Sequence, residues 1–424
     1  MHTLTATEAA ARIRAGHLTS EALVAACLER IAAREAAVGA WQYLDPEQAL
    51  AQARAADRSS ARGPLHGVPI GVKDIMDTDD MPTTLGSPIY AKRRPQWDAA
   101  CVAAARAAGA IVLGKTVSTE FAYFEPGKTR NPHHLLHSPG GSSSGSAAAV
   151  ADGMVPIALG SQTAASVIRP AAFCGVFGYK ASFGEFSLSG IRPFAQSLDS
   201  LGILARSVAD IALLRAVLLG TPVSALAPMT VLPRLGLCRT GQWALATADT
   251  HDAVEQFAER CRQAGASVVE ITLPEHFTAL IDAHKTIMAY EAAHNYCYET
   301  TRWPGQLSSA FLALTATGRQ VGRAAYREAL ARVALAGQEL RSITGGLDAL
   351  IAPAAIGEAP LATSGTGDPV MSRMWTALQL PALAVLAAKG ATGLPLAVQL
   401  VAARGADDLL LQVGHWAGTT LELP

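Results

Sequence analysis

The spacing of apolar side chains opens as a helix. Thr19 or Ser20 caps a stretch in which Leu23, Val24, Cys27, Leu28 and Ile31 share one face at helical period. Pro64-Leu65-His66-Gly67 breaks that pattern. A short apolar run over residues 68–75 follows, interrupted by Pro69, Gly71, Lys73 and Asp74, and reads as a strand with special positions. Residues 100–108 read as a helix and residues 110–113, Ala-Ile-Val-Leu, as a buried strand. Farther along, residues 252–264 and 324–340 carry helical patterns. Residues 349–353 and 393–401 read as strands, and a helix ends the chain. Helices alternating with wholly apolar strands predict an α/β fold whose sheet is covered on both faces. Residues 221–233, with three prolines, read as a connector.

Composition adds limits. Half of the 424 residues are hydrophobic, enough for a large core. The 34 basic and 35 acidic side chains nearly balance, and no basic stripe invites nucleic acid. The six cysteines are scattered without a C-x-x-C pair. They read as buried reduced thiols of a cytoplasmic protein, not as zinc ligands or a disulfide framework. The first sixteen residues lack an apolar signal core, and the longest weakly charged stretch, residues 131–168, is too rich in Gly and Ser for a membrane span.

Three motifs invite chemistry that their context argues against. Residues 109–116 fit the phosphate-loop pattern G-x-x-x-x-G-K-[ST], but the four intervening residues belong in a strand, not a loop of free amides. Gly141-Ser142-Ser143-Ser144-Gly145 fits the nucleophile elbow G-x-S-x-G, yet His137-Ser138-Pro139-Gly140 cannot form the strand that an elbow requires. His133, His134 and His137 cluster without the Glu of a zinc protease and between two prolines, so they read as loop histidines. No metal or cofactor is called for.

What remains is one lysine in an apolar strand and a charge-poor segment holding Ser142 and Ser166 among small residues. Small residues let backbone approach a substrate and present its N–H groups. A buried lysine loses its charge and becomes a base, which a hydroxyl needs in order to act as a nucleophile.

These residues resemble the amidase-signature enzymes. The matching pieces are Gly67-Val68-Pro69-Ile70-Gly71-Val72-Lys73-Asp74, then Ser138-Pro139-Gly140-Gly141-Ser142-Ser143-Ser144-Gly145-Ser146, then Gly160-Ser161-Gln162-Thr163-Ala164-Ala165-Ser166-Val167-Ile168-Arg169-Pro170, in that order. The resemblance extends to Cys174-Gly175, Gly393-Leu394-Pro395 and Gln399. It implies a single domain over residues 1–424, a three-layer α/β/α sandwich around a large mixed sheet. The signature core would lie at about residues 67–205, and a more variable helical, substrate-side region at about 240–345. It implies Lys73 as base, Ser142 as a relay following a cis peptide bond, and Ser166 as nucleophile, with an oxyanion hole around Thr163, Ala164 and Ala165. Ser142-Ser143-Ser144 and Ser166-Val167-Ile168-Arg169-Pro170 look like the malonamidase subgroup, in which the arginine binds a substrate carboxylate; that role falls on Arg169. The implied activity is hydrolysis of a small carboxamide, with a malonamate-like acid as the leading substrate and a homodimer as the assembly. A glutaminase subunit of a tRNA-dependent amidotransferase and a non-catalytic binding relic are the alternatives. The relic is motivated by Ala164 and Ala165, which stand where most members carry glycine. A left-handed backbone there would cost alanine about 1 kcal/mol or more. Gln379 and Ala397 also replace frequent glycines and read as local packing changes.

Overall fold

A computed structural model describes residues 1–59 and 63–421. The opening helix forms as expected. Thr19 accepts the Ala22 N–H at 3.1 Å, the helix runs over Ser20–Val38, and Gly39 ends it with φ +64°. Its Leu23, Val24, Cys27 and Ile31 are buried, and Leu28 lies partly so.

Among the described residues, eleven strands build one mixed sheet. They are β1 (Trp41–Leu44), β2 (Pro69–Lys73), β3 (Ile111–Thr116), β4 (Ile157–Gln162), β5 (Phe177–Lys180), β6 (Ser200–Ala205), β7 (Arg234–Cys238), β8 (Ser267–Ile271), β9 (Ala349–Pro353), β10 (Ala382–Lys389) and β11 (Pro395–Val401). Their spatial order is β1-β3-β2-β4-β6-β5-β10-β11-β9-β7-β8. β3, β2 and β4 run parallel, as do β9, β7 and β8, while the middle of the sheet is antiparallel. β2, β3, β4 and β6 are buried along their whole length, which explains their mainly apolar residues, with polar side chains only at their ends. The helices cover the sheet as the three-layer sandwich requires. The helical region beyond residue 240 contributes long helices over Ala248–Gln263, Leu280–Asn295, Ser309–Gln320 and Arg323–Ile343, and β8 besides.

Some details depart from the pattern reading. The strand expected over residues 110–113 runs on through Gly114, Lys115 and Thr116. β1, β4, β5, β6, β7, β8 and β10 go beyond the strands read from the pattern. Five cysteines are buried, but Cys297 is exposed, and all six are free thiols. Gln379 is more than a packing change. Its φ of +62° is the left-handed conformation that favours glycine, and its side chain donates to the Ser197 carbonyl at 3.1 Å and accepts from Arg404 at 2.7 Å.

The parallel trio fixes the site's location. In neighbouring parallel strands the carboxyl ends lie on one sheet edge, where α/β folds open their ligand crevices. Lys73 ends β2, Ser161 and Gln162 end β4, and Asp199 precedes β6, whose Ser200 pairs with Gln162. Close helix approach holds the loops there. The helix Ser144–Ala151 needs Gly145, because a Cβ would stand 2.2 Å from the Ala40 carbonyl oxygen and 2.3 Å from the Val117 nitrogen. Gly202 likewise admits Val167, beside which a Cβ would lie at 2.5 Å. Gly145→Ala is expected to destabilise the chain by about 3 kcal/mol, the upper range for overpacking, read as a lowered urea midpoint; an unchanged midpoint would contradict this packing.

Candidate active site

Lys73 is fully buried at the end of β2. Its Nζ hydrogen-bonds Ser142 Oγ at 2.7 Å and Ser161 Oγ at 2.9 Å. Among the described residues no carboxylate neutralises it by contact. Its sequence neighbour Asp74 accepts from Thr84 and lies 3.8 Å from Lys115, while Asp77 takes Arg93 at 2.6 Å. Desolvation pulls the Lys73 pKa down to about 7, and the charge of Asp199 opposes that fall. Asp199 is buried too. Burial raises its pKa to about 6 against the hydrogen bonds from Thr163 Oγ1 at 2.6 Å and the N–H groups of Phe194 and Ala195.

Ser142 follows a cis peptide bond, Gly141–Ser142. Its carbonyl accepts the Thr119 N–H at 3.3 Å, and the Gly141 carbonyl accepts from Arg169 at 2.8 Å. The next residue, Ser143, is locked to β4: its hydroxyl donates to the Ser161 carbonyl and accepts the Ser161 N–H, each at 3.3 Å. Its N–H donates to the Ser166 carbonyl at 3.2 Å, which ties the two serine loops together. A buried and doubly bonded Ser143 is no exposed elbow nucleophile.

Ser166 and Ser142 line one cavity, together with Thr163, Ala164, Ala165, Arg169, Phe194 and Met288 among others. The open space is only about 20 Å³, little more than one water. Among the described residues, Ser166 Oγ has no hydrogen-bond partner, and neither do the backbone N–H groups of Thr163, Ala164, Ala165 and Ser166. Four successive amides and the Ser166 hydroxyl thus stand without partners beside one cavity. Neither Ala164 nor Ala165 has a left-handed backbone. The methyl groups therefore carry no conformational cost of the kind their replacement of glycine raises. Left-handed backbone occurs instead at Ala122 (φ +62°), which lines the same cavity, and at its neighbour Phe121 (φ +47°).

Arg169 is buried and spends its donors on structure. It bonds the carbonyls of Gly141 and Gly367 and the hydroxyl of Thr366. Among the described residues it forms no ion pair, and its Nε is buried without a partner. Desolvation, reinforced by the nearby Arg373 charge, lowers its pKa to about 9.

The decoy motifs resolve structurally. Lys115 of the phosphate-loop pattern is buried and donates to the Met76 carbonyl and Thr83 Oγ1, each at 2.6 Å. His133 Nε2 donates to the Cys174 carbonyl at 2.9 Å and His137 Nδ1 to the Ala359 carbonyl at 2.6 Å. The one metal-like cluster among the described residues, Asp79, Asp80 and Asp98, excludes them. Sequence reasoning missed Ser161, Asp199 and Gln162. Ser161 and Gln162 stand inside the matched motif, but only pairing of β4 with β2 and β6 shows what they face.

Comparison with known proteins finds relatives that match most of the chain. The A subunit of glutamyl-tRNA(Gln) amidotransferase from Chloroflexus aggregans is 39% identical over 323 residues, covering 70% of this chain and 65% of that one. Its counterpart in Roseiflexus castenholzii is 39% identical over 318 residues with the same coverage. The chain thus spans 65% of the length of these curated relatives. A crystal structure of an amidase superposes with a TM-score of 0.90 at 30% identity, covering 99% of this chain and all of that one. The native peptide amidase of Stenotrophomonas maltophilia superposes with a TM-score of 0.87 at 30% identity, covering 99% and 97%. The family model described as Amidase matches residues 22–411, and on that match the chain belongs to the amidase family.

Proposed function

We propose that the chain hydrolyses a small carboxamide to a carboxylic acid and ammonia through an acyl-enzyme on Ser166. The observation that carries this reading is the contact between a buried Lys73, its pKa near 7, and Ser142, in a cavity that also holds the free Ser166 hydroxyl. Neutral Lys73 draws the Ser142 proton while Ser142 takes that of Ser166, and Ser166 Oγ attacks the amide carbon. The free amides around Thr163, Ala164 and Ala165 receive the oxyanion, each well-placed donor contributing about 3 kcal/mol. The proton returns through Ser142 to the leaving ammonia. Water then cleaves the ester by the same relay.

A substrate carboxylate, as in a malonamate-like acid, suits Arg169. The guanidinium is a buried cation beside the cavity with no carboxylate partner among the described residues, and such a ligand supplies the missing charge. The short sequence match to malonamidase adds to this. The amidotransferase relatives favour a second reading, a glutaminase-type subunit. The free-standing reading expects the chain to purify alone as an active homodimer. Activity that appears only with copurifying subunits supports the second.

Ser166→Ala should lower ammonia release by at least about 10⁴-fold, whereas Ser143→Ala should retain most activity. Full activity in Ser166→Ala would refute the acyl-enzyme. Fluorophosphonate labelling of Ser166 separates a catalyst from a non-catalytic relic, which would stay unlabelled.

The acid limb of kcat/KM should fall near pH 7, because protonated Lys73 cannot accept a proton; the rate rises with pH through that value. Asp199 raises the Lys73 pKa, so Asp199→Asn should move this limb to lower pH. A limb that stays in place removes Lys73 as its origin.

Arg169→Ala should reduce the preference for a carboxylate-bearing amide over its neutral isostere by about 100-fold, the worth of a strong charge-assisted bond. Equal losses on both amides reject the carboxylate role.

A further inference from the structure

The free amides at residues 164–166 pose a question of mechanics, since an unbonded peptide is free to turn over. In a trans peptide the N–H points opposite the carbonyl of the preceding residue. Whatever grips the carbonyls of Thr163, Ala164 and Ala165 therefore aims the N–H groups of Ala164, Ala165 and Ser166. The Ala165 carbonyl accepts the Arg169 N–H at 2.9 Å, an ordinary bond of the following helix. The other two are held by side chains from remote helices. His284 Nε2 lies 2.8 Å from the Thr163 carbonyl oxygen, and Thr376 Oγ1 lies 2.8 Å from that of Ala164. His284 belongs to the helix Leu280–Asn295 and Thr376 to the helix Val370–Ala377.

The proton on each bond has one consistent placement. Arg373 Nη1 stands 2.9 Å from His284 Nδ1, and a guanidinium can only donate. Nδ1 is then the acceptor, and the ring proton sits on Nε2, facing the Thr163 carbonyl. The ring is fully buried between a donor and an acceptor, a setting that suits neutral imidazole. Gln162 sets the second bond. Its Oε1 accepts the N–H groups of Val167 at 2.9 Å and Ile168 at 3.0 Å, so its amide nitrogen must be the atom 3.0 Å from Thr376 Oγ1. With that lone pair occupied, the Thr376 hydroxyl gives its proton to the Ala164 carbonyl. Gln162 also relieves residues 167 and 168 of acceptors they would otherwise seek inside the turn.

We propose that His284 and Thr376 are positioning residues that orient the 163–164 and 164–165 peptides toward the reacting oxygen. Arg373 and Gln162 fix the direction of their protons. This role rests on the acyl-enzyme reading, with the oxyanion at these amides. It goes beyond that reading by placing the rigidity of the hole in side chains that touch neither substrate nor Ser166.

The test compares paired variants. His284→Ala and Thr376→Val remove the two braces. Thr376→Ser keeps the hydroxyl, and His284→Gln keeps a donor at the Nε2 position. The readouts are the rate of Ser166 labelling by a fluorophosphonate, kcat and KM on an amide the wild type turns over, and the melting temperature. His284→Ala and Thr376→Val should lower kcat and the labelling rate together by about 100-fold, the low end for loss of an oxyanion donor. KM should stay within about threefold. The Ser and Gln variants should recover most of the loss even where their melting temperatures match those of the Val and Ala variants. Wild-type kcat in His284→Ala and Thr376→Val, or Ser and Gln variants no better than Val and Ala at equal melting temperature, overturns the proposal. If the wild type is itself unlabelled and Ser166→Ala stays active, the acyl-enzyme reading fails and the brace falls with it. A labelled wild type with an inactive Ser166→Ala leaves any failure with the brace alone.

Discussion

The burial of Lys73 sets the terms for everything around it. An ammonium taken from water into a site without a contacting carboxylate is held at high cost, and the cost is relieved by giving up the proton. The chain could cancel that effect with an ion pair, and the two nearest acids in sequence are available for it. Asp74 instead takes Thr84 and lies near Lys115, and Asp77 takes Arg93. Asp199 acts on Lys73 through its field, without contact, and so moderates the pKa without fixing the charge. The amine is left with hydroxyl partners, Ser142 and Ser161, through which a proton can pass. The parallel strands β2 and β4 enforce this choice, because their carboxyl ends deliver Lys73 and Ser161 to the same edge.

The other half of the site is backbone, and its order comes from the side facing away from the cavity. Turning over the 163–164 peptide would swing φ of Ala164, which lies outside the left-handed region, by a large angle toward positive values. There a methyl group costs about 1–2 kcal/mol, a cost glycine escapes. The alanines at 164 and 165 thus oppose the same motion that the bonds from His284 and Thr376 oppose. Under the proposed mechanism, their substitution for glycine, which in sequence raises doubt about the oxyanion hole, adds to its rigidity.

The parts of the site legible in sequence are those that one continuous segment carries. Lys73 sits in a short apolar strand, and Ser142 and Ser166 sit in loops that a long run of small, uncharged residues sets apart from the rest of the chain. The covered sheet is equally legible, since a strand such as β9, Ala-Leu-Ile-Ala-Pro, is buried along its whole length and reads as an unbroken apolar run. Asp199, His284 and Thr376 are not. Each is a polar residue in an otherwise ordinary stretch, and its meaning arises from pairing across the sheet or from helices more than a hundred residues away. Gln379 shows a different limit. A left-handed φ at a non-glycine residue leaves no trace in composition, and in the fold both the side chain and the backbone of Gln379 are hydrogen-bonded.

Arg169 joins the two halves. It grips the Gly141 carbonyl, in the peptide that leads into the relay serine, while the N–H of its own peptide holds the Ala165 carbonyl behind the amides. A residue with only that duty need not be charged, since neutral donors satisfy carbonyls at lower desolvation cost. The chain nevertheless keeps a guanidinium there, unpaired among the described residues, with Arg373 close enough to depress its pKa further. Among the described residues neither buried cation has a contacting carboxylate, and Arg169 lines the cavity. Asp368 offsets part of that charge through its field without contact. Under the proposed mechanism, the remaining positive charge favours the negative oxygen that forms during attack as well as any carboxylate on the substrate.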